Sequence, residues 1–98
     1  MSPVFVKAEL HVKSDQVEAF LTTFKKVIEP SRKEAGCLFY ELYKADDREN
    51  TYVVFERWKS HEDIRQHMVS EHVTETAKAI QPYLKDSFIL EYFTSIPD

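Results

Sequence analysis

Two runs rich in β-branched and aromatic residues, Cys37–Lys44 and Thr51–Lys59, flank a short polar segment, Asp46–Asn50. That spacing makes them an antiparallel hairpin, because parallel neighbours need a crossover of about a dozen residues or more. The rest of the chain must pack around this hairpin. Before it, Val4, Val6, Ala8, Leu10 and Val12 recur with period two, which predicts a first strand over Pro3–Val12. Its other face carries Phe5, Lys7, Glu9 and His11. Val17, Phe20, Leu21, Phe24 and Ile28 then recur at helical spacing, leaving Lys25, Lys26 and Glu29 toward water. Ser14 is the expected cap of this helix, with Asp15 in its first turn. Pro30 predicts a kink, with helical character resuming through Ala35. Gly36, the only glycine, is the expected stop, through a positive φ.

After the hairpin, Ser60 and Asp63 have the spacing of a capping box. Ile64, His67 and Met68 share the inner face of the helix that follows. Ser70 is placed to cap another, on which Val73, Ala77, Ile80 and Leu84 repeat until Pro82 ends it. Ser87–Thr94 reads as a fourth strand, with Phe88, Leu90 and Tyr92 on one face and Ile89, Glu91 and Phe93 on the other. The order is β-α-β-β-α(α)-β, the split βαβ or ferredoxin-like arrangement. It predicts one α+β domain over residues 1–98, with a four-stranded antiparallel sheet and its helices on one face. The other face bears aromatics and needs a cover. A second copy is the expected one, giving a two-fold dimer with sheets packed face to face.

The bulk properties narrow the function classes. Net charge is −4 with both signs interspersed, so nucleic acid is not an expected partner. No apolar run has the length of a membrane span, and Met1-Ser2-Pro3-Val4 lacks a charged segment leading into an apolar one. Cys37 is the only cysteine, which removes an intrachain disulfide and a Cys-rich metal site. A cytoplasmic protein without a membrane partner is expected. Seven Phe, five Tyr and one Trp exceed what a small core needs, and aromatics also line ligand pockets and interfaces.

Several of these residues form one pattern: Glu34-Ala35-Gly36-Cys37, then Tyr40-Glu41-Leu42-Tyr43, then Glu56-Arg57-Trp58, then His67 and His72. Their order and spacing resemble the antibiotic biosynthesis monooxygenase family over nearly the whole chain, from Val4 to Phe93. The resemblance implies a dimeric α+β barrel with a pocket between sheet and helices. It implies several activities: oxidation of quinols, anthrones or related polycyclic phenols by O2 without metal or flavin, haem degradation, or isomerisation of small signalling compounds of the phosphorylated autoinducer-2 type. The haem-degrading branch carries an Asn in the first strand and a Trp where this chain has His67, so haem is disfavoured. Many relatives have Pro where this chain has Glu71, a change either residue tolerates at a helix start.

His67 sits three residues after Ile64 and so points inward. A buried histidine is either a satisfied core group or a general base. Glu56, a carboxylate among apolar neighbours, needs a partner, and His67 is the expected one. His72 falls at the start of the next helix, as a second polar contact or as the pocket rim. No cofactor or metal is expected, since the two histidines lack a third ligand of suitable spacing. The catalytic set is therefore His67, His72 and Glu56. The substrate-binding set is Trp58, Tyr40, Val54, Ile64 and Met68. Trp58 is either a flat pocket wall or plain core, and Cys37 a small buried group. The leading expectation is a cofactor-independent monooxygenase acting on a quinol-like substrate. A proton-transfer enzyme on a hydroxy-ketone or its phosphate, with Lys7 or Arg65 as the anion partner, is one alternative. A non-catalytic ligand-binding or stress-related dimer is another.

Overall fold

The computed structural model describes residues 3–98; Met1 and Ser2, part of the segment considered above for a leader, lie outside them. The elements are β1 (Val4–His11), α1 (Val17–Arg32), β2 (Cys37–Lys44), β3 (Thr51–Trp58), α2 (His61–Met68), α3 (Glu71–Ile80) and β4 (Ile89–Thr94), with a 3₁₀ turn at Gln81–Tyr83. The four strands form one antiparallel sheet in the order β2-β3-β1-β4. This is the α+β, ferredoxin-like topology that the order of periodicities implies. No helix among the described residues is long and apolar enough to cross a membrane.

Strand alternation decides what faces the helices. Val4, Val6, Ala8, Leu10 and Val12 are all buried, and Tyr52, Val54, Glu56 and Trp58 are buried beside them on β3. Phe20, Phe24 and Val27 of α1, Ile64 of α2 and Ile80 of α3 close the core from the helical side. Each such side chain removed from water contributes about 1.5–3 kcal/mol. The opposite sheet face stays open: Phe39, Phe55 and Phe93 are 42%, 44% and 48% exposed.

Four local expectations are corrected. Ser14 does not cap α1. Lys13 is tied to Tyr83 through its N–H, and Gln16 N–H closes a turn onto Lys13 O. The helix therefore starts later, with Gln16 at the cap position and no side-chain cap bond. The helix passes through Pro30 but ends at Arg32, and the chain descends to β2 in turns closed by Glu34 N–H to Ser31 O and Cys37 N–H to Glu34 O. Gly36 does not adopt positive φ. Its missing side chain serves clearance instead, since a Cβ there would run into the Cβ and Cγ of Asp63. Asp63 belongs to the cap of α2, where its N–H donates to Ser60 Oγ at 3.2 Å and its carboxylate accepts from the Ser60 hydroxyl at 2.7 Å. Any larger residue at Gly36 must displace that cap. Finally, strict alternation along Cys37–Lys44 would set Leu38 on one face with Tyr40 and Leu42, but a bulge between Cys37 and Phe39 shifts the register and Leu38 leaves that face. The bulge sets Tyr40 directly across from Glu56.

Asn50 is the one non-glycine residue at positive φ among the described residues, at 53°. Asparagine tolerates that region, and here it turns the chain into β3.

Candidate functional site

Between the sheet and the helices lies a cavity of about 70 Å³, lined by Leu10 and Ala8 of β1, Phe24 and Val27 of α1, Tyr40, Val54 and Glu56 of the hairpin, His67 and Met68 of α2, and Val73, Thr76, Ala77 and Ile80 of α3. Phe88 and Leu90 close it from the β4 side. At about 10–15 Å³ per water this is room for several waters, and about half of the roughly 150 Å³ that takes a benzene ring. Among the described residues, its polar side chains are Tyr40, Glu56, His67 and Thr76, and no Lys or Arg lines it.

His67 is held from outside the cavity. It is 2% exposed, and its Nδ1 lies 2.6 Å from Glu34 Oε2. His72 Nε2 lies 2.8 Å from the same oxygen. A carboxylate only accepts, so both imidazoles donate: His67 is the Nδ1–H tautomer and His72 the Nε2–H tautomer. Ser70 stiffens the link by donating its hydroxyl to His67 O at 2.6 Å, between the two helices. The remaining nitrogen of His67, Nε2, carries a lone pair and sits 3.9 Å from Glu56 Oε1. Aromatic rings fix its plane: Trp58 lies 4.5 Å and Tyr40 5.4 Å away, centroid to centroid.

Glu56 takes its hydrogen bond from elsewhere. The Trp58 indole N–H donates to Glu56 Oε1 at 2.9 Å. Burial pushes the Glu56 carboxyl up to about 7, with Trp58 opposing and the negative Glu34 reinforcing the rise. Burial lowers the His67 pKa, against the raising effect of Glu34. At neutral pH the Glu56 carboxyl is therefore partly protonated while burial holds the His67 ring neutral, so the cavity offers an acid and a base. Burial raises the Tyr40 phenol far above its ordinary value, so it remains a neutral donor. Ser31, fully buried, lies near enough to favour the phenolate slightly, yet its hydroxyl makes no well-formed hydrogen bond. The Cys37 thiol is raised by burial too, which leaves it un-ionised and unreactive.

The structure thus brings together Tyr40, Val54, Glu56, His67 and Met68 around one cavity. His72 stands outside, 25% exposed at its side chain, and reaches the site only through Glu34. Trp58 and Ile64 do not line the cavity: they are 0% and 5% exposed, packed behind it. Trp58 lies at the end of β3 under α2, so its face is inward but its depth is that of the core. The expected His67–Glu56 ion pair is replaced by His67–Glu34 at Nδ1. Glu34 itself was given no role by sequence reasoning. It lies 33 residues from His67 and 38 from His72, and no local periodicity links positions so far apart.

Glu34, His67 and His72 also contradict the reading that the histidines lack a third ligand. Each offers one ligand atom, all within 4.8 Å of one another. The carboxylate comes from the turn before β2 and not from a helical repeat. Two imidazoles and a carboxylate suit zinc or ferrous iron.

Comparison with known proteins gives a consistent answer. The model of a family described as antibiotic biosynthesis monooxygenase matches residues 3–79. An uncharacterised protein of Synechocystis, sll1783, is 36% identical over 58 residues, covering 59% of this chain and 40% of that protein. The "Putative monooxygenase YcnE" of Bacillus subtilis is 30% identical over 69 residues, 70% of this chain and 73% of its own length. The solved structure of Rv0793 from Mycobacterium tuberculosis superposes with a TM-score of 0.91 at 27% identity, covering 99% of this chain and 98% of that one.

Proposed function

Because the chain belongs to the antibiotic biosynthesis monooxygenase family, we propose that it is a cofactor-independent monooxygenase for a small, neutral hydroquinone-like substrate. The observation that carries this reading is a neutral, buried base on an apolar cavity with no cation in its lining. The substrate hydroxyl gives its proton to His67 Nε2. Glu34 holds the ring in the correct tautomer and stabilises the imidazolium that forms, the role a carboxylate plays behind a catalytic histidine. The electron-rich phenolate passes one electron to O2, and the two radicals combine in a carbon–oxygen bond. One oxygen atom stays in the substrate; the other leaves as water, with all electrons drawn from the substrate. Glu56, when protonated, and the Tyr40 phenol are the donors to the substrate's second oxygen.

The cavity admits a single ring only as its walls give, being about half the volume that takes benzene. A polycyclic phenol needs the half-exposed Met68 and Phe88 to move. It also argues against an anionic substrate. Lys7 lies on the opposite sheet face, beside Glu9 and Glu91, and Arg65 is engaged by Glu62 at the surface. A phosphate would enter with its charge unpaired. Oxygen uptake by the metal-stripped protein, measured against the His67→Ala variant to subtract spontaneous oxidation, should appear with single-ring hydroquinones and be lost with their phosphorylated analogues. Equal rates for both would sink the neutral-ligand reading.

The acid–base pair of Glu56 and His67 favours a second reading, isomerisation of a neutral hydroxy-ketone. It would proceed without oxygen, so turnover in an anaerobic cell separates the two.

The same reading includes a second copy over the open sheet face. Phe5, Phe39, Phe55 and Phe93 are register neighbours there, with Arg57 and Lys7 among them. An aromatic surface of this kind is costly to leave in water. Sedimentation at the mass of two chains at micromolar concentration is expected; a monomer would remove the dimer.

A further inference from the structure

On its outer side, the Glu34–His67–His72 cluster opens into a surface groove. The groove is lined by Glu34, Glu62, Asp63, Gln66, Ser70 and His72, and no Lys or Arg lines it. Glu62 is paired with Arg65, and the remaining carboxylates, Glu34 and Asp63, leave the concavity negative and favour cations there. Glu34 and His72 line the groove and His67 lies buried behind them; the two histidine nitrogens lie 2.6 and 2.8 Å from one Glu34 oxygen. In a facial set with bonds of about 2.1 Å, neighbouring ligand atoms stand about 3 Å apart. The three ligand atoms lie within 4.8 Å of one another, so the imidazoles must close up as the carboxylate retreats to admit an ion. Behind His67, the Glu56 carboxylate lies 3.9 Å from Nε2. Metal-bound histidines are ordinarily backed by a hydrogen-bonded carboxylate, and Glu56 would have to close by about an ångström to serve as one. Ligand type, ligand number, proximity and an entry path are therefore present.

We propose that Glu34, His67 and His72 form a binding site for a first-row divalent cation such as Zn²⁺, entered from the acidic groove, which switches off the base in the cavity. The switch follows from the two nitrogens of one ring. A cation at His67 Nδ1 displaces the proton there, and the neutral ring keeps it on Nε2 instead. His72 likewise moves its proton from Nε2 to Nδ1. No net proton is released, but the Nε2 lone pair that faces the cavity is lost. The base becomes a donor aimed at Glu56. The inhibitory half of this inference rests on the function proposed above; the binding half does not.

Titration of the metal-stripped protein with Co²⁺ and Zn²⁺ tests the two halves separately. Calorimetry should give one ion per chain, and Co²⁺ should show the visible bands of a nitrogen–oxygen site. Glu34→Gln and His72→Ala should each weaken binding by at least the roughly 10–100-fold that loss of even an outer-shell partner costs. Histidine ¹⁵N spectra should show the His67 ring proton moving from Nδ1 to Nε2 when Zn²⁺ is added. No binding to a chain with native circular dichroism, or binding unchanged in both variants, would overturn the site. Given a working substrate, Zn²⁺ should abolish turnover at the concentration that fills the site. Binding with turnover intact would overturn the switch and leave the site standing. Binding with no oxygen uptake on any substrate would support the site and count against the monooxygenase reading alone.

Discussion

Glu56→Gln is expected to raise the melting temperature at pH 8 by about 10 °C or more, a stability gain of about 3 kcal/mol. The gain comes from removing a carboxylate that folding holds in the wrong protonation state. Burial raises the Glu56 pKa from 4.5 in the unfolded chain to about 7 in the folded one. Between those values the folded protein binds more protons than the unfolded one, so stability falls as pH rises. The loss is complete above 7. Gln is nearly isosteric and its oxygen still accepts from the Trp58 indole. Its amide can donate toward His67 Nε2. The variant should therefore lose the downward slope between pH 5 and 7 and melt higher on the alkaline side. His67 contributes the opposite slope. Its pKa is lowered by burial, so its share of stability is full above the unfolded value of 6.5 and is lost as pH falls through the folded one. Calorimetric scans of both proteins from pH 5 to 8 check this. A variant that melts lower at pH 8, or parallel pH profiles, would show that Glu56 carries no such strain.

His67→Ala is expected to reduce kcat by about 10²–10⁴-fold on any substrate that loses a proton in the cavity. The ring's Nε2 is the one unprotonated nitrogen of the neutral histidine that lines the cavity. Glu56 is the nearest other base, but the Trp58 indole occupies one of its oxygens, and with a pKa of about 7 much of it is already protonated at neutral pH. The substrate should still bind, since most of the lining is apolar, so KM should move much less than kcat. The loss of a ring packed between Trp58 and Tyr40 will lower stability as well. His67→Gln, which keeps volume and a polar end, should then restore folding without restoring rate. Turnover within a few-fold of wild type in either variant would place the chemistry elsewhere.

The topology was legible in the sequence because its strongest signals are repetitive. Period two in β1 and β3 and the short polar turn between β2 and β3 admit few arrangements. The exceptions each depend on a contact from elsewhere in the chain. Ser14 is a good cap by type, but Tyr83 holds Lys13 in a turn. Gly36 reads as a helix stop, yet its role is set by Asp63, a residue of another helix. Leu38 changes sides because of a bulge that no residue type announces. The site divides the same way. Tyr40, Val54, Glu56 and His67 follow from parity and helical spacing. Parity gives direction and not depth, which is why Trp58 points correctly and still misses the cavity. Glu34 comes from a turn, where no period operates. Only the tertiary structure sets one of its oxygens between two histidines.

Strand β3 carries two sets of residues in alternation. Val54 and Glu56 line the cavity, while Phe55 and Arg57 lie on the open face. Immediate neighbours along the chain thus answer to different selective demands, separated by the thickness of one sheet. What the protein encloses and what it presents can drift independently while the backbone stays still. A substitution at Val54 therefore reshapes the enclosed space and leaves the outer face of Phe55 and Arg57 as it was.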